Sequence, residues 1–178
     1  METFYSPRLQ MRPLAEGDDA IYLALYTDPD VMTHIAAPLV PDVARAGFER
    51  SCHLNAEPGG WVSRWAVLDR ASGAALGLLA VLRDPGDPGT AEIGVMLLPA
   101  AQGRGFAREV VGALVALVFS ACPGIDRVWA RHRVDHAAAA ALMRAVGFPV
   151  ESACGKRATC SRTRPLDSPV CMARPGGS

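Results

Sequence analysis

The stretch Pro99–Phe119, PAAQGRGFAREVVGALVALVF, decides how the chain is read. Its second half is an amphipathic helix, in which Val110, Val111, Leu114, Leu117 and Val118 recur at helical spacing and form one apolar face. Its first half is built differently. Gly103 and Gly105 flank Arg104 just before the helix begins near Phe106. Glycine there costs conformational entropy, so something must come close to the backbone. A helix N-terminus offers unpaired N–H groups and about half a positive charge, and small residues let a phosphate reach them. On these residues alone two readings stay open: a diphosphate cradle with Arg104 as an added cation, or a strand-to-helix turn that is merely rich in glycine.

Working outward, TAEIGVMLLP reads as a strand closed by Pro99. Before it, WVSRWAVLDRASGAALGLLAVLRD gives two strands around a turn at Ala71–Gly73. Trp61 and Trp65 are able to share a side and are expected to pack in the core. Nearer the start, PRLQMRPL reads as a short strand, followed by a helix in EGDDAIYLALYTDP with Ile21, Leu23 and Leu25 as its apolar side. A second helix, PDVARAGFERSCHLN, carries Val43, Phe48 and Cys52 at roughly helical spacing. After the central helix, DRVWARHRV is a strand and HAAAAALMRAVGF an alanine-rich helix stopped by Gly147. The tail from Pro149 reads as two strands ending in PVCMA, with the polar CGKRATCSRTRPLD between them as a hairpin turn or mobile loop. The order β-α-α-β-β-β-α-β-α-β-β combines an antiparallel meander with strand–helix–strand crossovers, which demands a mixed sheet in a single α/β domain over 1–178.

Composition narrows the function classes. The 178 residues are 50% hydrophobic and 20% charged with a formal net charge of zero, so no global field gathers nucleic acid or an anionic membrane. No apolar run reaches transmembrane length, and METFYSPRLQMRPL lacks the layout of a signal peptide. The five cysteines form no CxxC pair, which points to reduced thiols in a cytoplasmic setting and away from a disulfide frame or a zinc site.

Three phosphate-binding patterns compete for the glycine loop. A P-loop needs a lysine after its last glycine, and the loop has none. The dinucleotide fingerprint would put Arg108 at its third glycine, where helix and strand must pack closely. What remains is Q-x-x-G-x-A, matched by Gln102, Gly105 and Ala107. Here the sequence resembles the GNAT superfamily of acetyl-CoA-dependent N-acetyltransferases, in which this loop holds the coenzyme A pyrophosphate. The likeness extends to AEIGVMLLPAAQGRGFAREVVGALVALVF, to the hairpin WAVLDRASGAALGLLAV, to RVWARHRVDHAAAAALMRAVGF and to the opening RLQMRPL, all of which look like the RimJ/RimL branch of ribosomal-protein N-terminal acetyltransferases.

The resemblance implies a GNAT-type fold: a mixed, mostly antiparallel sheet of roughly six to seven strands with about four helices, whose central strands bulge and splay to admit a pantetheine arm. It implies acetyl-CoA as co-substrate and no metal, with Met96, Leu97 and Leu98 beside the arm and Gln102, Gly103, Arg104, Gly105, Phe106 and Ala107 on the pyrophosphate. Glu92 falls where relatives carry the glutamate that removes the amine proton. On a strand it shares a face with Gly94, which leaves open space beside the carboxylate; the competing reading is a carboxylate paired with an arginine. His136 stands where the branch has an asparagine, Ala139 where it has a serine, and Met143 where many relatives have a proton-donating tyrosine. His136 is therefore a candidate coenzyme A contact, against a reading in which Asp135 caps the helix and His136 is solvated. The missing side chains also motivate a second function, a coenzyme A-binding module with weak or no catalysis. For the enzyme, the acceptor is a primary amine of a protein N-terminus or a small molecule. An α-amine titrates near 8 and a lysine near 10.4, a difference of about 3 kcal/mol in reaching the neutral nucleophile, which favours the α-amine. A monomer and a homodimer are both compatible with the sequence.

Overall fold

The computed structural model describes residues 2–57 and 59–165. The chain opens with β1 (Phe4–Tyr5) and β2 (Leu9–Pro13), then three helices, α1 (Asp19–Tyr26), α2 (Pro29–Met32) and α3 (Pro41–Ala56). A meander follows: β3 (Val62–Asp69), β4 (Ala75–Asp84) and β5 (Asp87–Leu97). The long helix α4 (Phe106–Ala121) leads to β6 (Arg127–Arg133), and α5 (Ala137–Ala145) leads to β7 (Val150–Cys154) and β8 (Arg157–Thr163). No helix among the described residues is long and apolar enough to cross a membrane.

The strands form one sheet in the order β1-β2-β3-β4-β5-β6-β8-β7. Neighbours are antiparallel except β5 and β6, which are parallel because α4 carries the chain back between them. Alternation assigns the two faces. Toward α4 and α5 point Leu9, Met11, Trp65, Val67, Leu79, Val81, Ile93 and Val128, packed on Val110, Val111, Leu114 and Val118. Toward α1 and α3 point Ala66 and Leu78, against Ile21, Tyr22, Leu25 and Phe48.

Several expectations are corrected. Among the described residues the sheet has eight strands and there are five α-helices, because β1 is too short to show a period and α2 is a single turn whose Asp28 side chain accepts the Asp30 and Val31 N–H groups. The polar segment after Cys154 is mostly strand β8, not a loop. It pairs with β6 and β7 on both edges, and its buried residues are the small Ala158, Cys160 and Ser161, which leave no hydrophobic alternation to read. The PVCMA strand lies outside the described residues. Trp65 is buried as expected, but Trp61 precedes its strand and is half exposed beneath Arg83. Val43 faces solvent; Ala44 and Ser51 take the buried side of α3 with Phe48. No bulge appears in the end of β5, which pairs with β4 without a shift in register from Ala91 to Leu97.

That unbroken pairing depends on Gly77. A methyl group there would collide with the Met96 carbonyl oxygen and the Leu97 side chain. Gly77→Ala should therefore lower the melting temperature and displace the end of β5. Gly112 lies inside α4 with open space around it, so Gly112→Ala should stabilise the protein by about 1 kcal/mol, the helix-propensity difference. Thermal melts of the two variants check both signs.

Candidate active site

Parallel strands β5 and β6 are held together at only three positions, ending at Glu92 opposite Trp129. Beyond that pair β5 runs to Leu97 beside β4 and β6 runs to Arg133 beside β8, so their facing edges part into a V. Ligands in sheets of this kind bind outside the carboxyl ends of such strands. Both following loops, Leu98–Gly105 and Val134–His136, lie at that open end.

The first loop is shaped to leave amides free. Gly103 and Gly105 adopt φ of 70° and 78°, conformations that favour glycine, and Gly105 caps α4. The first helix amide to find a backbone acceptor is Glu109, on the Gly105 carbonyl at 3.2 Å. The N–H groups of Gly103 through Arg108 have no partner among the described residues, and they sit at the positive end of a helix of 16 residues. Gln102 holds the loop to the strand by donating its side-chain amide to the Leu97 carbonyl at 3.0 Å. These features fit a diphosphate.

The side chains around it are tied down. Phe106 is buried, with the Arg8 and Arg104 guanidinium groups 4.5 and 4.6 Å from its ring centre, so only its backbone is available to a ligand. Ala107 packs on the core. Leu97 points into the α4 side, Met96 and Leu98 into the α1 side, which leaves backbone rather than side-chain polarity for a bound arm. Sequence reading missed the brace behind the loop. Glu109 accepts from the Ser6 hydroxyl at 2.7 Å, the Arg8 amide at 2.8 Å and the Arg8 guanidinium at 2.7 Å, while Arg8 donates to the Arg104 carbonyl at 3.1 Å. Burial alone would raise the Glu109 pKa; the hydrogen bonds from Ser6 and Arg8 outweigh it and hold the carboxyl below its ordinary value.

Glu92 sits at the crotch of the V, and its carboxylate is bound by Arg131 through two hydrogen bonds of 3.1 and 3.0 Å. The arginine pairing that competed with the catalytic reading is thus present. It does not close the carboxylate, which has about four acceptor positions, two of them used here. Gly94, next on the same face, is exposed, and a methyl group built on it would meet nothing within 4 Å.

His136 stands at the start of α5 without capping it, and neither does Asp135, which pairs instead with Arg133 and is drawn down to about 2 chiefly by that hydrogen bond. His136 is half-buried and stacks on His34 with ring centres 4.2 Å apart, more enclosed than a freely solvated ring. Burial first, then His34 and His132, lower its pKa against the pull of Asp135. His34 had no local signal in the sequence, since it reaches His136 only through the fold. Met143, at the expected tyrosine position, is buried in the core and donates nothing. Among the described residues no three His, Cys, Asp or Glu side chains are grouped to hold a metal ion.

The brace yields a pH prediction. A carboxyl whose pKa is depressed on folding adds stability that is present above its unfolded value, near 4.3, and is lost as pH falls through the folded value. Glu109→Gln should cost about 1–3 kcal/mol at neutral pH, and the gap to wild type in urea midpoint should shrink as pH drops below about 4.3.

A sequence profile for the acetyltransferase (GNAT) domain matches residues 8–149. The uncharacterized N-acetyltransferase p20 of Bacillus licheniformis is 24% identical over 151 residues, spanning 85% of this chain and 84% of that protein. Among solved structures, the ribosomal L7/L12 alpha-N-protein acetyltransferase RimL in complex with coenzyme A superposes with a TM-score of 0.78 at 20% identity, covering 91% of this chain and 98% of the other. The spermidine N-acetyltransferase of Vibrio cholerae, in complex with coenzyme A and spermine, gives 0.74 at 18% identity, covering 88% and 95%. With the profile running from β2 to the end of α5 and the same fold in these structures, this chain belongs to the GNAT acetyltransferase family.

Proposed function

We propose that the protein transfers an acetyl group from acetyl-CoA to a primary α-amine, directly, with both substrates bound together, and that it is allied to the RimJ/RimL branch. The observation that carries this reading is the coincidence at one end of the sheet of parted strands, a loop with unpaired amides and a carboxylate at the base of the gap. The diphosphate lies on the amides of Gly103–Arg108, and the arm follows the free edge of β5 at Met96, Leu97 and Leu98, with His136 in the position of the absent asparagine. Bound there, acetyl-CoA supplies an activated acyl group. Glu92 takes the amine proton, directly or through water, with the two acceptor positions that Arg131 leaves open. Arg131 fixes the carboxylate at the crotch of the V. An α-amine needs less help than a lysine to become neutral, which suits a site with a single carboxylate.

A second reading, a coenzyme A-binding module without turnover, draws on two observations: Arg131 occupies Glu92 on two sides, and Met143 offers no acid. One set of measurements separates them. Thiol release from acetyl-CoA, followed against α-amines and lysine-type amines, should show turnover with preference for the former. Glu92→Gln should lower kcat by about 10²–10⁴, the range for a lost general base, while calorimetric affinity for acetyl-CoA stays unchanged. Binding without turnover on any amine, and no effect of Glu92→Gln, supports the second reading. No binding of acetyl-CoA ends both.

A further inference from the structure

The sheet face that carries Glu92 also carries an arginine whose side chain has no hydrogen-bond partner among the described residues. Arg64 on β3 pairs in register with Ala80 on β4, and Ala80 pairs with Gly94 on β5. Residues directly opposite on neighbouring strands project to the same side, so the three form one lane across the sheet. The adjacent lane is Val62, Leu82, Glu92 and Trp129. Along this lane of the sheet, the side chains between Arg64 and the V are a methyl group and a hydrogen atom. The space above Gly94 is open.

Three other arginines on this face hold carboxylates, whereas Arg157, opposite Arg133 on β8, is exposed. Arg12 grips Asp18 with contacts of 2.6 and 2.7 Å, Arg131 holds Glu92, and Arg133 holds Asp135. Arg64 has no such carboxylate, and its Nη1 is sealed from solvent without a hydrogen-bond partner among the described residues. Its backbone is pinned on both sides, since Asn55 donates to its carbonyl and accepts from its amide, and the Leu14 amide donates to the same carbonyl. A guanidinium on a pinned backbone, partly desolvated and unpaired among the described residues, is an unmet demand for a planar anion.

We propose that Arg64 reads a carboxylate on the acceptor, so that the substrate is an amine with a carboxylate a few bonds away. Two strand spacings separate the backbones of Arg64 and Gly94, roughly 10 Å, most of which an extended arginine side chain crosses. The acceptor's carboxylate then lies over Gly94 and its amine at Glu92, one lane along. A free amino acid presents this chemistry, and so does the N-terminus of a peptide whose first residues are acidic. The proposal rests on acetyl transfer at this site, but it concerns a separate contact and is measured separately.

The experiment compares glycine, alanine, methionine and phenylalanine with their own amides, and acidic with neutral dipeptides, as acceptors for thiol release. The acid forms should exceed the amides by about tenfold or more in kcat/KM, the scale of one charge-assisted contact, and mainly through KM. Arg64→Gln should bring that acid-to-amide ratio close to one, and Arg64→Lys should restore part of it. Arg45→Gln, on the outer side of α3, should leave the ratio as in wild type. Gly94→Val, which fills the lane, should abolish the preference with Arg64 intact. Free acids favoured over acidic dipeptides identify a small-molecule acceptor, and the reverse a peptide. Should no amine be acetylated, calorimetric titration of the same acids and amides into the wild type and Arg64→Gln still reads the contact, so loss of the proposed activity and loss of the subsite are told apart. Equal treatment of acids and amides by the wild type, or a ratio untouched by Arg64→Gln in a variant that melts normally, overturns the proposal.

Discussion

The site depends on an interruption in one strand pairing. Elsewhere in the sheet, neighbours stay together for most of their length; β5 and β6 let go after three residue pairs. Backbone groups stranded within a sheet must find partners, and a separation like this survives because each strand is secured on its outer edge, β5 by β4 and β6 by β8. The two cores reinforce the arrangement from opposite faces, with α4 and α5 on one and α1 and α3 on the other. The protein thus carries a slot for an extended ligand at modest cost to the rest of the fold.

The components of the site have distinct mechanical roles. Gly77 lets the end of β5 press against β4, Gln102 fastens the loop to that strand, and the Ser6–Arg8–Glu109 brace fastens the other side of the loop to the N-terminal segment. The amides of the loop are consequently presented by a supported backbone. Charge is arranged with similar economy on the sheet face that carries Glu92. Arg12, Arg131 and Arg133 there hold Asp18, Glu92 and Asp135, and Arg64, beside an unfilled lane, has no carboxylate partner among the described residues.

The sequence made some of this legible and concealed the rest for physical reasons. Helical and strand periods located the meander, α4 and α5, and glycine placement located the loop, because these signals are local. Strand β8 was invisible because its buried positions are an alanine, a cysteine and a serine, which lack hydrophobic contrast. The residues that complete the site were hidden by distance along the chain: Arg131 meets Glu92 across 39 positions, Glu109 meets Ser6 across 103, and His34 meets His136 only through the fold. Trp61 and Val43 show the converse error, apolar residues at plausible spacing that the tertiary structure leaves outside. In this fold a loop motif announces the cofactor end of the site, whereas the proposed acceptor end draws on single residues of separate strands.

The most direct measurement is the backbone amide spectrum of the isotopically labelled protein titrated with coenzyme A. The account predicts shifts and exchange protection concentrated in Gly103–Arg108 and along β5 from Ile93 to Leu97, with β1 and β7 unaffected. Saturable binding that leaves those amides unmoved would contradict it.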